Sequence, residues 1–377
     1  MRVVLDVTAV PADLGGVGRY VVEVAREIVA AGGDLAVVAR PSQADGLADA
    51  LPGAEVLLAP AGTERRPARM VWEQTGLPAL VRRVRGEVLH SPHYTMPARV
   101  DAARVVTLHD ATFFSDPGVH SPVKGRFFRA ATRRAVRSAD ALLVPSAATR
   151  DEVVRYTHGH VDRFHVAYHG VDPAVFHPVS EAERHRVAQT LGLTGRPYLA
   201  FLGTLEPRKN VPALVRGWVR AVGADPRPPA LVLAGGAGWD TQVGPAVDAV
   251  PAGLTVLRPG YLPLADLAGY LAGAEVVVYP SLGEGFGLPV LEAMACAAPV
   301  LTTRMLSLPE VGGEAVAYTG TGEAEIAAAL RALLDDPGRC RELGAAAQVR
   351  AQSFSWAASA AAHLTAYEAA LRSRSAR

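Results

Sequence analysis

The chain has 377 residues, of which 50% are apolar and 20% are charged, and its formal net charge is +1. This length favours two domains, and a net charge near zero argues against a dedicated nucleic-acid binder, whose surface should be basic overall. The two cysteines, Cys296 and Cys340, show neither a metal-ligand spacing nor a disulfide framework. No apolar run is long enough to span a membrane, and the first residues read as a strand and not as a signal peptide, so we expect a cytoplasmic protein.

Apolar strands alternate with helical periods along the whole chain, which predicts parallel sheets with helices on both faces. In the first half we predict strands at 2–7, 35–39, 56–58, 88–90, 104–108, 141–144 and 164–167, and helices at 16–31, 77–85, 122–138 and after Ser146. The proline-rich segment 169–180 has no helical period, and we interpret it as an interdomain linker.

The second half continues the same alternation. We predict a helix at 181–191, strands at 198–202, 230–233, 255–257, 275–279 and 300–302, and a last helix at 356–372. The fold class is therefore α/β, with two doubly wound domains. We place these domains at residues 1–175 and 176–355, and we expect the C-terminal helix, about 356–377, to cross back onto the first domain.

The stretch 279–299 combines the end of a buried strand, a glycine-rich turn and a helix, with Glu284 in the turn and Glu292 on the helix. Open α/β sheets present polar ligand sites in this way, because glycines admit the ligand and the helix start offers free N–H groups. Glu292 would then accept hydrogen bonds from ribose hydroxyls. The alternative for Glu292 is an ordinary surface glutamate.

Two further turns at strand ends suit a phosphate. Arg208 and Lys209 precede a helix that we expect Asn210 to cap, and two cations at a helix start suit a diphosphate. The glycine-rich run 15–18 opens the first helix, where backbone N–H groups can bind an anion, although its spacing is not the dinucleotide fingerprint. The alternatives are a solvated basic turn and a plain tight turn.

Histidines stand at the ends of two predicted strands in the first half. His109 is followed by Asp110, and His90 ends the preceding strand. A histidine in this place can hydrogen-bond a sugar hydroxyl or transfer a proton. The alternative is a histidine that the local backbone satisfies.

Basic residues cluster in two segments of the first half. They are Arg65, Arg66, Arg69, Arg82, Arg83 and Arg85, followed by Lys124, Arg126, Arg129, Arg133, Arg134 and Arg137. The second group shares a helix with Phe127 and Phe128, which would suit peripheral contact with anionic lipid at the inner membrane face. The alternative is a solvated basic face without a membrane partner.

Together these residues resemble the retaining glycosyltransferases of family 4, whose GT-B fold has two Rossmann-like, doubly wound parallel-sheet domains facing a cleft. The resemblance covers nearly the whole chain, and its most specific part is Glu284-x7-Glu292 in the setting SLGEGFGLPVLEAMA. Further segments typical of the family are 15–20, 203–210, 259–262, 307–313 and 354–356. Segments 72–74 and 108–110 look closest to bacterial mannosyltransferases and their deoxysugar-transferring relatives.

The resemblance implies a role for each matching position. Its catalytic contacts are His109, Arg208, Lys209 and Glu284, and its donor-binding positions are Gly15, Gly16, Gly203, Asn210, Gly260, Tyr261, Leu262, Gly285, Phe286, Gly287, Leu288 and Glu292. In these roles His109 contacts the donor sugar, Arg208 and Lys209 hold the diphosphate, and Glu292 holds the ribose. The segment 260–262 flanks the base. No metal site is expected, because the donor loops contain no Asp-x-Asp.

The implied function is the transfer, with retention, of a hexose or deoxyhexose from a nucleotide sugar such as GDP-mannose to a hydroxyl of a glycan, a lipid-linked acceptor or a natural product. The nucleotide sugar is a substrate, so no cofactor is expected. Two alternatives stay open, a non-catalytic nucleotide-sugar-binding protein and another GT-B activity such as a nucleotide-sugar epimerase. A dehydrogenase is disfavoured, because the dinucleotide fingerprint is absent.

Overall fold

The structure is a computed structural model that describes residues 1–10, 15–115, 118 and 121–376. Its contacts divide the chain into two compact units, the first formed by Met1–Gly170 with Ser355–Arg377 and the second by Val171–Phe354. None of the helices in the described part of the chain combines the length and the apolarity that crossing a bilayer requires.

The first unit is built on a seven-stranded parallel sheet, and elements are numbered in chain order. Its strands are β1 (Arg2–Asp6), β2 (Asp34–Ala39), β3 (Glu55–Leu58), β4 (Val88–Ser91), β5 (Ala103–Thr107), β6 (Ala141–Val144) and β7 (Phe164–Val166). Its helices are α1 (Gly16–Ala30), α2 (Pro41–Ala50), α3 (Arg66–Arg83), α4 (Thr112–Ser115), α5 (Pro122–Ser138), α6 (Ala147–Thr157) and, from the chain end, α15 (Trp356–Ser375). The strand order is β3-β2-β1-β4-β5-β6-β7, so the order of addition reverses between β1 and β4.

The second unit is built on a six-stranded parallel sheet in the order β10-β9-β8-β11-β12-β13. Its strands are β8 (Tyr198–Leu202), β9 (Ala230–Ala234), β10 (Val256–Gly260), β11 (Val276–Tyr279), β12 (Val300–Thr303) and β13 (Ala317–Thr319). Its helices are α7 (Glu181–Thr190), α8 (Val211–Val222), α9 (Val243–Asp248), α10 (Leu267–Ala272), α11 (Leu288–Ala295), α12 (Leu308–Gly312), α13 (Glu323–Leu334) and α14 (Pro337–Ala351). Here the order of addition reverses between β8 and β11, and the loops that follow these two strands are therefore neighbours.

The predicted fold class is confirmed, because both sheets are parallel and doubly wound. The structure adds a strand that the prediction lacks, β13, an edge strand of 3 residues whose side chains are all half-buried. Such a short strand has neither the apolar run nor the strict alternation by which strands are detected in a sequence.

Helix α3 corrects the largest error among the predicted elements. We expected a helix at 77–85, but α3 begins at Arg66 and ends at Arg83. Its first turns bury Arg69 and Glu73, whose side chains form an ion pair with 3.0 Å between Nη1 and Oε2. A buried charged pair interrupts the apolar period that marks a helix in sequence. Arg69 therefore does not belong to the basic surface predicted for this segment.

Candidate active site

The second unit places two loops side by side at the carboxyl edge of its sheet. Strands β8 and β11 pair directly, although β9 and β10 come between them in sequence. The loop after β8 carries Arg208 and Lys209 on a 3₁₀ turn, and the loop after β11 carries Glu284. A backbone hydrogen bond of 2.8 Å from Leu282 N to Arg208 O joins the loops. This is the position at which open α/β sheets bind their ligands.

Glu284 is the centre of a buried ion-pair network. Its Oε2 accepts from Arg208 Nη1, and its Oε1 accepts from Lys209 Nζ at 2.7 Å and from Ser281 Oγ at 2.5 Å. Lys209 Nζ also donates to the hydroxyl of Tyr279 and lies 4.8 Å from the centroid of that ring. Three residues predicted as catalytic thus share one network, and Tyr279 and Ser281 are members to which the sequence assigned no role.

The network fixes the charge states of its members. Burial would raise the pKa of Glu284, but the cations Arg208 and Lys209 and the hydrogen bonds that Glu284 accepts lower it to about 2. Burial lowers the pKa of Lys209, and the facing Glu284 carboxylate opposes that shift. Glu284 is therefore a carboxylate at neutral pH, suited to holding cations and poorly suited to taking up a proton.

The glycine-rich turn after Glu284 is held by one serine and by its own backbone. Ser307 Oγ lies 2.8 Å from the carbonyl oxygens of both Glu284 and Phe286 and can donate to either. Phe286 is buried, with its ring 5.9 Å from that of Phe354. Gly287 then precedes α11 at φ +107°, a conformation that other residues rarely adopt. The Ser307 hydroxyl and the backbone conformation at Gly287 therefore both help to order the predicted donor-binding turn.

Helix α11 follows this turn and buries Glu292. Leu288 begins the helix and is half-buried, and the helix is fully buried from Val290 to Ala295. Glu292 is only 3% exposed, so the surface-glutamate alternative is wrong. Charged side chains are rarely buried without polar contacts, and the contact of Glu292 to a ribose stays a prediction.

Asn210 has a different role from the helix cap that we expected. It occupies the cap position of α8 at φ +58°, but its side chain accepts no hydrogen bond from the helix. Its Nδ2 instead donates to Pro280 O at 3.2 Å and to Thr321 O at 2.9 Å. Asparagine tolerates this left-handed conformation better than most residues. Asn210 therefore ties the loop after β8 to the loop after β11.

Further predicted donor-binding positions lie along the same edge of the sheet, after β8 and β10. Gly203 follows β8, and a Cβ at Gly235, which has φ +125°, would lie 2.2 Å from the Gly203 carbonyl oxygen. The loops after β8 and β9 thus meet backbone to backbone, which only glycine permits. Gly260 ends β10, Tyr261 is 72% exposed, and Leu262 is half-buried against the core. The exposed Tyr261 ring agrees with its predicted place beside a nucleobase.

The remaining predicted positions belong to the first unit. Gly15 caps α1 and Gly16 begins it, and both are exposed. His109 follows β5, with its Nε2 2.6 Å from Pro92 O. Because a carbonyl oxygen can only accept, Nε2 carries the proton and Nδ1 is the nitrogen that can accept a hydrogen bond. Burial lowers the pKa of His109, so the imidazole is neutral at pH 7.

His90, the other histidine at a strand end, is part of a buried hydrogen-bond network. Its Nδ1 lies 2.9 Å from the Tyr367 hydroxyl, and its Nε2 lies 2.8 Å from Thr107 Oγ1. Tyr20 extends the network, with its hydroxyl 2.9 Å from Thr107 Oγ1 and 2.7 Å from His363 Nε2. Because Tyr367 and His363 lie on α15, this network attaches the last helix to the sheet of the first unit.

The basic helix α5 lacks the aromatic surface that we predicted for it. Phe128 is buried and stacks on Phe113 at 4.5 Å between centroids. Phe127 is half-buried, and the Arg66 guanidinium lies 5.8 Å from its centroid. Neither ring projects from the helix, so the basic side chains are what remains of the membrane-contact hypothesis.

Comparison with known proteins places the chain in a family. Residues 14–175 match the family model described as Glycosyltransferase Family 4, and residues 196–336 match the one described as Glycosyl transferases group 1. O-antigen chain mannosyltransferase B of Escherichia coli is 33% identical over 297 residues, which cover 77% of this chain and 74% of that protein. The chain belongs to glycosyltransferase family 4. It is a glycosyltransferase, as the motifs predicted.

This glycosyltransferase also has similar relatives with other names. A D-inositol 3-phosphate glycosyltransferase of Xylanimonas cellulosilytica is 29% identical over 97% of this chain and 94% of that protein. The alpha-maltose-1-phosphate synthase of Mycolicibacterium smegmatis is 35% identical over 60% of this chain and 62% of that protein.

Solved structures with the same architecture are more distant in sequence. The crystal structure of Anabaena Alr3699/HepE in complex with UDP-glucose matches this chain with a TM-score of 0.77 at 17% identity, over 100% of both chains. Sucrose-phosphate synthase from Thermosynechococcus elongatus matches with a TM-score of 0.78 at 20% identity, over 98% of both chains. At such identities these matches establish the fold alone, and they confirm that it is GT-B.

Proposed function

We propose that this glycosyltransferase is a retaining, metal-independent enzyme that transfers a hexose or deoxyhexose from a nucleotide sugar. The observation that carries the proposal is the buried network of Arg208, Lys209 and Glu284 at the point where the strand order of the second sheet reverses. Cleavage of a sugar–nucleotide bond builds negative charge on the departing diphosphate. Two cations that are already held in place can stabilise that charge without reorganising.

In this proposal the residues of the network and the other predicted site residues each have a role. Arg208 and Lys209 balance the charge of the leaving diphosphate, and Glu284 holds both cations in position. The backbone N–H of Leu288, the first residue of α11, adds a further donor. Glu292 accepts from a ribose hydroxyl. His109, through Nδ1, accepts from a hydroxyl of the donor sugar.

The bond changes are those of a front-face substitution. The acceptor oxygen bonds to the anomeric carbon on the face from which the diphosphate leaves, so the configuration is retained. The acceptor proton passes to an oxygen of the leaving diphosphate. Glu284, with a pKa of about 2, is not needed as the base.

GDP-mannose is the first donor to test, and sugar or cyclitol hydroxyls are the first acceptors. The similarity to an O-antigen chain mannosyltransferase supports the mannosyl donor. The similarity to D-inositol 3-phosphate glycosyltransferases supports acceptors that carry several hydroxyls, whether glycan, lipid-linked or small molecule.

A calorimetric screen of GDP-, UDP-, dTDP- and ADP-sugars would identify the donor, and a transfer assay would test the site. We expect Lys209→Met, which fills the same volume without the charge, to lower kcat/KM by about 10²–10³-fold. The matched control is Arg216→Ala, which removes a cation on α8 from an exposed ion pair with Glu323 and should leave kcat/KM unchanged. Full activity of Lys209→Met would refute the assigned site. Inversion at the anomeric carbon in the product NMR spectrum, or loss of activity in EDTA, would refute the mechanism.

A further inference from the structure

Glu206 also contacts the two cations of the network, and with it the charges of Arg208, Lys209, Glu206 and Glu284 sum to zero. Arg208 and Lys209 supply two positive charges, and Glu206 and Glu284 supply two negative charges within 4 Å of them. A nucleoside diphosphate brings additional negative charge to cations that are already neutralised. Both carboxylates therefore repel a diphosphate that approaches Arg208, and the repulsion is relieved when one of them gives up its contact.

The two carboxylates are held very differently. Glu284 accepts hydrogen bonds from Arg208, Lys209 and Ser281, and its side chain is 7% exposed. Among the described residues, only Arg208 donates a hydrogen bond to the Glu206 carboxylate, from Nη2 to Oε1 at 2.6 Å. Lys209 Nζ lies 3.8 Å from the same oxygen, and the Glu206 side chain is 15% exposed. Glu206 is therefore the carboxylate that can move away.

The backbone allows that movement without disturbing the loop. Glu206 N donates to Thr204 O at 2.8 Å, and Glu206 O accepts from Lys209 N at 2.9 Å. The Glu206 side chain does not cap the 3₁₀ turn that follows it, because it accepts no hydrogen bond from the backbone N–H groups of that turn. When Glu206 withdraws, Arg208 Nη1 keeps its bonds to Glu284 and to Gly283 O. A diphosphate oxygen that replaces Glu206 thus meets a guanidinium that is already oriented.

We propose that Glu206 competes with the diphosphate for the Arg208 guanidinium and thereby speeds release of the nucleoside diphosphate after transfer. The proposal rests on the proposed function, which places the donor diphosphate at Arg208. Glu206 is a positioning residue, since it acts on the ligand through Arg208. It occupies the guanidinium in the empty site and repels the product in the filled one.

Glu206→Gln tests the competition, because it keeps the size of the side chain and removes its charge. Isothermal titration with GDP, UDP, ADP and dTDP would give the dissociation constants. We expect the Kd of the best-bound nucleotide to fall by about tenfold or more. In the transfer assay the donor KM and kcat should both fall, because the product leaves more slowly. Glu323→Gln, which breaks an exposed pair with Arg216, is the matched control and should leave Kd unchanged.

The sign of the effect separates competition from a structural role. If Glu206 merely oriented Arg208, Glu206→Gln would bind the nucleotide more weakly, so an unchanged or higher Kd would overturn the proposal. Glu206→Ala removes the charge by a different route and should also tighten binding. If wild type binds none of the four nucleotides, the proposed function fails together with this inference. If wild type binds and transfers while neither variant tightens, only the competition fails.

Discussion

Replacing Asp6 by asparagine should stabilise the first unit at neutral pH and change how its stability responds to pH. Asp6 ends β1 and is 3% exposed. Its Oδ1 accepts from Thr8 N at 3.0 Å and from Thr8 Oγ1 at 2.7 Å. Burial raises the pKa of Asp6 to about 6, and the neighbouring Glu73 adds to that shift.

The size of the effect follows from the two pKa values. The folded-state pKa of about 6 lies above the reference value of 3.8, so between these values the folded protein binds more protons than the unfolded one. The stability that protonated Asp6 contributes is complete below pH 3.8 and is lost as the pH rises through about 6. A shift of about 2 pH units corresponds to roughly 3 kcal/mol above that range. Asparagine has no charge to bury, so Asp6→Asn should recover most of this amount.

The fold offers a partner for the new amide. Leu5 pairs with His90 across β1 and β4, so the next residues, Asp6 and Ser91, lie on the same face of adjacent strands. Ser91 Oγ is buried and has no hydrogen-bond partner among the described residues. Because Ser91 Oγ makes no hydrogen bond to Asp6 as it stands, its side chain has to rotate before it can accept from the asparagine amide, while the asparagine oxygen keeps both bonds from Thr8.

Urea unfolding followed by hydrogen-exchange mass spectrometry, peptide by peptide, would separate the two units. At about pH 7.5 the free energy of unfolding of the first unit should be roughly 2–3 kcal/mol higher in Asp6→Asn than in wild type, and at about pH 4.5 the difference should be much smaller. Asp49→Asn, at an exposed position on α2, is the control. A variant that is less stable than wild type at the higher pH, or a difference independent of pH, would refute the reasoning.

Two changes in the second unit test the rigidity of the donor loops. Ser307→Ala removes the hydroxyl that can donate to either of two carbonyl groups, so we expect a loss of about 1–3 kcal/mol in urea unfolding and a higher donor KM. An unchanged KM would contradict a role of Ser307 in ordering the turn. Gly235→Ala places a Cβ against Gly203 O at φ +125° and should lower the free energy of unfolding by roughly 2–4 kcal/mol. The control Gly244→Ala, which has open space around its Cβ, should lower it little. Equal losses of stability in the two variants would show that the backbones at Gly235 and Gly203 can separate.

The helices and strands that could be predicted from the sequence are those whose buried side chains are apolar. Strands such as β8 and β9 are continuous apolar runs because both faces of a parallel sheet are covered. The first turns of helix α3 were not predicted. Its buried face changes there from apolar residues, such as Leu77, to the ion pair of Arg69 and Glu73. A search for periodic apolar residues does not detect a buried charged pair. It also misses a short edge strand such as β13, which has neither an apolar run nor strict alternation.

The candidate site was predictable in its cations and glycines, and not in the contacts between them. Cations beside a strand end and glycines before a helix are local patterns, and they identified Arg208, Lys209 and the turn at Glu284. The contact between Lys209 and Glu284 joins residues 75 positions apart and depends on β8 and β11 being neighbours. Tyr279 and Ser281 join the network for the same topological reason, so no local pattern assigned them a role.

Glu284, the first of the two glutamates that stand eight positions apart in the second unit, is poorly suited to acid–base catalysis. Paired carboxylates often divide the work of acid and base, which requires their pKa values to lie near the working pH. Glu284 has both oxygens committed to Arg208, Lys209 and Ser281, and its pKa is about 2. A carboxylate held in this way is suited to fixing the two cations, which is the role that we propose for it. In the mechanism that we propose, the proton of the acceptor therefore passes to the diphosphate itself during front-face transfer.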